Sequence, residues 1–469
     1  MIEFKTTLLP TRKTISVLSS LFLVSPRRAK RSIRWSSSLS KKPGATGYAI
    51  CVAVRFPGAA ESEFTQKLKF EHPSSNQAIP IFRAMNPDGD IVVESTGFIT
   101  SFSDDLVLEM YQNIIGISII DTVMFDAQRQ GRISFYLTSH GEEGICVGSA
   151  SILEKEDVIF TQYRESGVFK QRGLSVQEFM SQLFANRNDS GRGRNMPVHY
   201  GSRALNILTT LEHTISSPLA TQIPHAAGAA YALKMQRLIN PNISPRVVVC
   251  YFGEGAASEG DFHAALNIAA TRSCPVIFIC RNNGYAISTS TLEQYRGDGI
   301  ASRGAGYGIE TIRVDGNDIF AVREVTARAR NLALKDNCRP ILIEAMSYRV
   351  SHHSTSDDSF AYRARLEVEE WKQRDNPITR LRKYLEKRGI WDDEREANMR
   401  AKLRKEILTA FSSAEKEKKP PLRCMFEDIY EEMTPETHAQ MLQLKEMLDN
   451  YPEEYDVSEF EGAKESLSS

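Results

Sequence analysis

The chain has 469 residues, 41% of them hydrophobic, and a formal net charge of -1. These values describe a soluble globular protein with room for one large domain or two smaller ones, and the balance of acids and bases leaves no electrostatic footprint for nucleic acid. The seven cysteines show no CxxC spacing and read as small buried hydrophobes in a reducing compartment.

In the N-terminal segment, residues 1–45, Lys5, Arg12, Lys13, Arg27, Arg28, Lys30, Arg31, Arg34, Lys41 and Lys42 stand against the single acid Glu3, with many serines between. That composition predicts a mitochondrial transit peptide and a place in the matrix. A secretory signal over Ile15 to Val24 is the rival reading; the basic cluster Arg27 to Arg31 behind it and the absence of a small-x-small cleavage site weigh against export. The segment Trp35–Val54 has no assigned role. No apolar run approaches the roughly 20 residues of a membrane span.

From Arg55 to Asn86 the sequence predicts an irregular, proline-punctuated arm, and from Asp104 to Gly131 an amphipathic helix through Leu106, Met110 and Ile114. Ile133 to Ala185 reads as helical and turn segments that include Gln162-Tyr163-Arg164. Next comes a small-residue helix, Ala226-Ala227-Gly228-Ala229-Ala230, entered through Ser216-Ser217-Pro218. Apolar runs at Val247–Phe252, Val276–Cys280, Thr311–Val314 and Ile341–Met346 predict strands. The last leads into a Ser/Asp-rich segment, Ser347 to Ser359, expected to be a mobile loop at the ligand edge of the sheet. Beyond Glu367 the chain is charged and helical, with one apolar stripe of Leu403, Ile407, Ala410 and Phe411.

Two motifs sit just past predicted strands: Gly253-Glu254-Gly255, and Arg281-Asn282-Asn283-Gly284-Tyr285. Two such strands joined by one helix form a βαβ unit, whose carboxyl edge is where open α/β sheets bind ligands. Glu254 offers an anionic oxygen and Asn283 a neutral one, a set that suits Mg²⁺ completed by phosphates and water. The glycines permit close backbone approach, and the following helix, with Phe262, Ala265, Leu266 and Ala269 on one face, is expected to aim its N-terminal N–H groups at an anion. Either half alone also fits an ordinary tight turn; the pair points to a divalent ion shared with a diphosphate.

With Gln162-Tyr163-Arg164, Ser216 to Gln222 and Tyr348 to Ser359 added, the chain from Arg55 to about Phe460 resembles the α subunits of branched-chain 2-oxo acid dehydrogenases. The resemblance implies an α/β, thiamine diphosphate-binding fold: a parallel sheet flanked by helices, with an N-terminal arm and a helical C-terminal extension. It divides the chain into 1–45, 55–365 for the cofactor domain, 366–460 for the helical extension and 461–469 for a tail. It makes Glu254, Asn283 and the Tyr285 carbonyl Mg²⁺ ligands, and Tyr163, Arg164, Ser217, Gly255, Ala256, Arg281 and His353 cofactor contacts. Ser216, Pro218, Thr221 and Gln222 match a K⁺ site. His353 is implied to assist reductive acylation of a lipoyl group, and Ser354 to be an inhibitory phosphorylation site. The implied partners are a β subunit in an α₂β₂ heterotetramer, which supplies the carboxylate that activates the cofactor's aminopyrimidine ring, a lipoyl-bearing acyltransferase, and a regulatory kinase and phosphatase.

Departures from the family pattern are Ser351 in place of a Gly, His140 in place of a Tyr, Ala364 in place of a second phosphorylated Ser, and extra residues around Gln236–Pro245. Ser351 is expected to restrict its loop, because Ser does not readily take φ > 0. The alternative readings are a pyruvate dehydrogenase α subunit and a non-catalytic paralogue that scaffolds a complex. The former is disfavoured by Ala256 to Asp261 and the His352-His353 loop, the latter by the intact Glu254, Asn283, Arg281 and His353.

Overall fold

The computed structural model describes residues 65–72, 77–92, 102–202, 204–206, 215, 217–335, 337–427 and 429–468. The expected transit segment, residues 55–64 and 73–76 of the arm from Arg55, and Ser216 lie outside the described residues. The chain divides into two compact units, Met1–His72 and Pro73–Ser469. The described residues of the first, 65–72, contain no helix or strand.

The second unit is built on a six-stranded sheet. Its strands are β1 (Ile81–Phe82), β2 (Val158–Phe160), β3 (Val248–Gly253), β4 (Val276–Asn282), β7 (Glu310–Asp315) and β8 (Ile341–Met346); β5 (Tyr285–Ala286) and β6 (Thr289–Ser290) form a separate small hairpin. The order is β1-β7-β8-β4-β3-β2 and every pairing is parallel. The four expected strands are present. Two were not expected: β2 lies inside the region read as helices and turns, and β1 inside the irregular arm. Three residues and two are too few for a periodic signal, and only pairing with β3 and β7 defines them.

The helices are α1 (Asp104–Arg129), α2 (Glu143–Ala150), α3 (Ser166–Gln171), α4 (Val176–Leu183), α5 (Gln222–Ile239), α6 (Gly260–Arg272), α7 (Thr291–Gln294), α8 (Ala301–Gly306), α9 (Ile319–Leu334), α10 (Arg365–Arg374), α11 (Pro377–Lys387), α12 (Asp393–Lys416) and α13 (Pro435–Asn450). Alternate strand residues feed two cores, as a strand's period of two dictates. Val249, Tyr251, Ile277, Ile279, Ile341 and Ile343 pack with α1, α2 and α9. Val248, Cys250, Phe252, Val276, Phe278 and Leu342 pack with α5 and α6. A sheet covered on both faces needs strands that are apolar throughout, which is why β3 and β4 read as continuous runs.

By length and composition α1 passes as a membrane span, against the expectation that no segment does; half of its most apolar stretch is buried inside the structure. Met110, Tyr111, Ile114, Ile115 and Ile117 face the core, so its apolarity is used in packing. Asp318 caps α9 through Phe320 N and Ala321 N, both at 3.1 Å, and also accepts from Ala84 N and Met85 N at 2.7 and 2.6 Å. One carboxylate thereby ties the chain after β1 to the start of α9. The stripe on α12 is buried as expected, with Leu403, Ile407, Ala410 and Phe411 inward. Cys146, Cys250, Cys274 and Cys280 are free and buried; Cys338 and Cys424 are free but half-exposed, so the expectation fails for those two.

Candidate active site

Glu254 and Asn283 are brought together by strand register. β3 and β4 are neighbours, with Gly253 opposite Arg281, and Glu254 and Asn283 are each the first residue past their strand. Glu254 N donates to Arg281 O at 3.3 Å. The Glu254 side chain is 1% exposed and its Oε1 has no hydrogen-bond partner. Burial pushes this carboxyl up to about 7, with Glu142 adding to the shift. A buried acid oxygen without a donor is costly, a cost that a proton or a bound cation would relieve. Among the described residues no three His, Cys, Asp or Glu side chains cluster as metal ligands, so an ion here would use one carboxylate, neutral oxygens and outside ligands, the pattern that Mg²⁺ tolerates.

The turn after Glu254 is tight. A Cβ on Gly255 would stand 2.9 Å from the Ala286 Cβ, so the residue must be Gly for this loop to approach the β5–β6 hairpin. Ala256–Ser258 forms a 3₁₀ turn and α6 begins only at Gly260. The N–H groups that follow Glu254 in the chain are therefore those of the 3₁₀ turn, and α6 starts behind it.

Arg281 is 2% exposed and lies between two carboxylates, pairing through Nη1 with Glu142 and through Nη2 with Glu165 at 2.6 Å. Burial works against its charge, and Glu165 and Glu142 outweigh that, raising it well above the usual guanidinium value. Its Nε has no partner. Glu142 also accepts from Asn283 Nδ2 at 2.8 Å, while Asn283 Oδ1 accepts from Tyr285 N at 3.2 Å. Glu165 accepts from Gln162 N at 2.8 Å and Arg164 N at 3.2 Å.

From the opposite side comes the loop after β8. Arg164, 3% exposed, donates to the carbonyls of Thr138 and His353, and its Nη2 lies 3.1 Å from His353 Nδ1. Arg349 Nη1 stands 3.4 Å from the same nitrogen. Burial, Arg164 and Arg349 push the imidazole down to about 3; it is neutral at physiological pH, with Nδ1 facing donors and the proton on Nε2. Tyr163 packs edge-on to His353, its ring centroid 6.3 Å away. His353 N donates to Asp357 at 2.8 Å, and Asp357 accepts from Tyr362 OH at 2.7 Å. Ser354 is buried, its Oγ accepting from Ser356 N at 3.2 Å. Ser351 is not among the residues with positive φ, so the loop here takes a backbone open to Ser.

On the third side Ser217 Oγ meets His199 Nε2 at 2.7 Å, and His199 Nδ1 meets Pro197 O at 3.0 Å. Thr221 Oγ1 donates to Pro218 O at 3.3 Å. Gln222 is fully buried; its Nε2 donates to Tyr251 O at 3.1 Å and its Oε1 has no partner. Glu142, Glu165 and His199 escaped the sequence reading. Glu165 directly follows Gln162-Tyr163-Arg164 and was open to discovery. Glu142 was not, since an acid before a helix reads as a cap.

The model of the dehydrogenase E1 component family matches residues 112–423. The chain belongs to that family. It is 51% identical over 407 residues to the mouse protein named 2-oxoisovalerate dehydrogenase subunit alpha, mitochondrial, covering 87% of this chain and 89% of that one. The Bos taurus protein of the same name is 50% identical over 91% of this chain and 88% of its own. That of Caenorhabditis elegans is 48% identical over 86% and 91%. The α/β fold with a parallel sheet flanked by helices is the one expected from the sequence.

Proposed function

We propose that the chain is the α subunit of a mitochondrial branched-chain 2-oxo acid dehydrogenase, an oxidoreductase of the 3-methyl-2-oxobutanoate dehydrogenase (2-methylpropanoyl-transferring) type. The observation that carries the reading is the buried, unpartnered Glu254 Oε1 one residue past β3, beside Asn283 past β4. Thiamine diphosphate supplies, when bound, the electron sink for loss of CO₂.

The residues take up the remaining work. Glu254, Asn283 and the Tyr285 carbonyl hold Mg²⁺. Arg281 and Arg164 offer guanidinium donors to a diphosphate, and the unpartnered Arg281 Nε favours that assignment. Gly255 and Ala256 let the backbone come close, and Tyr163 and Ser217 complete the cofactor contacts. Ser216, Pro218, Thr221 and Gln222 hold K⁺, supported by the free Gln222 Oε1 in a fully buried residue. His353, neutral with its proton on Nε2, is placed to assist reductive acylation of the lipoyl group by donating a hydrogen bond from Nε2–H to the sulfur that takes up charge as the S–S bond opens and the acyl–sulfur bond forms. The complex places a β subunit, in an α₂β₂ assembly, and a lipoyl-bearing acyltransferase beside this chain in the matrix, under a kinase and phosphatase acting at Ser354. The test is decarboxylation by the assembled αβ protein with 3-methyl-2-oxobutanoate against pyruvate: preference for the branched acid is expected, and preference for pyruvate overturns the substrate assignment.

A further inference from the structure

Glu142 touches both halves of the site without facing a ligand itself. It is fully buried at the start of α2, and its side chain does not cap that helix. One oxygen accepts from Asn283 Nδ2 at 2.8 Å, the other pairs with Arg281 Nη1. The element that carries it is held firmly: every residue of α2 is buried, and a Cβ on Gly148 would stand 2.9 Å from Ile319 O of α9.

We propose that Glu142 is a positioning residue that fixes the side-chain amide of Asn283 so that its oxygen, and not its nitrogen, is offered to the metal; this rests on the reading of Glu254 and Asn283 as the cation site. An amide is nearly symmetric in shape, and its two ends exchange by a half-turn about χ2. An ionised carboxylate accepts hydrogen bonds only. Against Glu142, the flipped amide would set oxygen against oxygen in a buried site and leave Nδ2 turned to a cation, so a single rotamer survives. Tyr285 N–H adds to the same choice by donating to Oδ1 at 3.2 Å, and the second lone pair of that oxygen remains for the ion. By its other oxygen Glu142 shares Arg281 with Glu165, so the guanidinium plane is set by the same carboxylate that sets the metal-ligand amide.

Partners of this kind, which orient a ligand without binding the ion, change metal affinity by about 10- to 100-fold when removed. The experiment uses the assembled αβ protein with thiamine diphosphate present and Mn²⁺ as the probe, free ion being read from its electron paramagnetic resonance signal. Glu142→Gln keeps the shape but offers an amide that accepts as well as donates, which frees Asn283 to flip; Mn²⁺ affinity is expected to fall by about ten-fold or more. Glu165→Gln, which leaves Asn283 untouched, weakens binding less. In the double variant Glu142→Gln/Asn283→Asp donor and acceptor trade places and an oxygen faces the ion in either rotamer, so affinity returns; this variant also carries the test where Glu142→Gln alone folds poorly. Glu254→Gln separates the two readings. Loss of Mn²⁺ in Glu254→Gln with wild-type affinity in Glu142→Gln overturns the role of Glu142 alone, whereas wild-type affinity in Glu254→Gln overturns the metal site itself. Equal weakening in the single and double Glu142 variants also overturns the proposal, because lost charge and not amide orientation is then the cause.

Discussion

Arg164 and His353, separated by 189 residues of chain, meet with Nη2 3.1 Å from Nδ1. A guanidinium has no lone pair to offer, so the contact fixes the imidazole tautomer: Nδ1 accepts and Nε2 keeps the proton. The His-bearing loop and the Gln162-Tyr163-Arg164 segment are thereby one structural unit, and what disturbs the loop disturbs a proposed diphosphate contact.

Ser354 is the place where this matters most. A phosphate on its Oγ adds about -1.5 to -2 charges at neutral pH, beside Asp357, which accepts from His353 N at 2.8 Å. Repulsion should break that bond and release His353 and Arg349. With Ala at 364 the inhibition should rest on one site. Kinase treatment of the αβ assembly is expected to abolish activity in the wild type and leave Ser354→Ala active; equal loss in both, or full activity in phosphorylated wild type, contradicts the mechanism.

Glu254→Ala removes the only carboxylate proposed to touch the ion. Metal-dependent thiamine diphosphate binding should be lost, because the diphosphate charge is then poorly neutralised. Isothermal calorimetry on the assembled protein checks this, and unchanged cofactor affinity rules the assignment out.

The chain by itself should show no turnover. The carboxylate that activates the aminopyrimidine ring is proposed to lie on a β subunit; of the buried acids beside this site, Glu142 and Glu165 are committed to Arg281 and Glu254 to the ion. Decarboxylation of 3-methyl-2-oxobutanoate by purified α chain, measured as released CO₂, decides the matter.

Asp121 gives a pH dependence whose sign follows from its burial. Burial raises its carboxyl from 3.8 to about 6, partly opposed by His140, by Ser139 N at 2.6 Å and by Tyr136 OH at 2.8 Å. The folded state therefore holds this proton more tightly than the unfolded one. The stability it contributes is fully present below the unfolded value near 3.8 and is lost as pH rises through about 6. The shift amounts to about 3 kcal/mol over that window. Asp121→Asn, which cannot titrate, should lack this slope, so urea unfolding at a series of pH values should show the difference between the two proteins changing between pH 4 and 6 and flat above it.

The sheet was legible because both its faces are covered. Val247–Phe252, Val276–Cys280 and Ile341–Met346 had to be continuously apolar, and such runs bounded by Gly or polar turns are hard to misread. β2 escaped because three residues hold no period and are defined by partners far along the chain. α1 announced itself as a helix, yet its burial on several sides, against α12, α2 and α3, was not visible from a single amphipathic face. Within the site, Glu254, Asn283, Arg281 and Arg164 could be named because each lies in a compact motif. Glu142 and His199 act through side chains that reach across the fold, and local sequence carries no record of such a meeting.

The register of β3 against β4 has one further consequence. Gly253 faces Arg281, so the separation of Glu254 from Asn283 is metered by the ladder between the strands and not by the crossover helix that joins them. Lengthening α6 at its solvent-facing end leaves the metering intact. A slip of one rung between β3 and β4 shifts Asn283 by about 3.3 Å and turns it to the opposite face. The helix is replaceable cargo in this arrangement, and the ladder is the ruler.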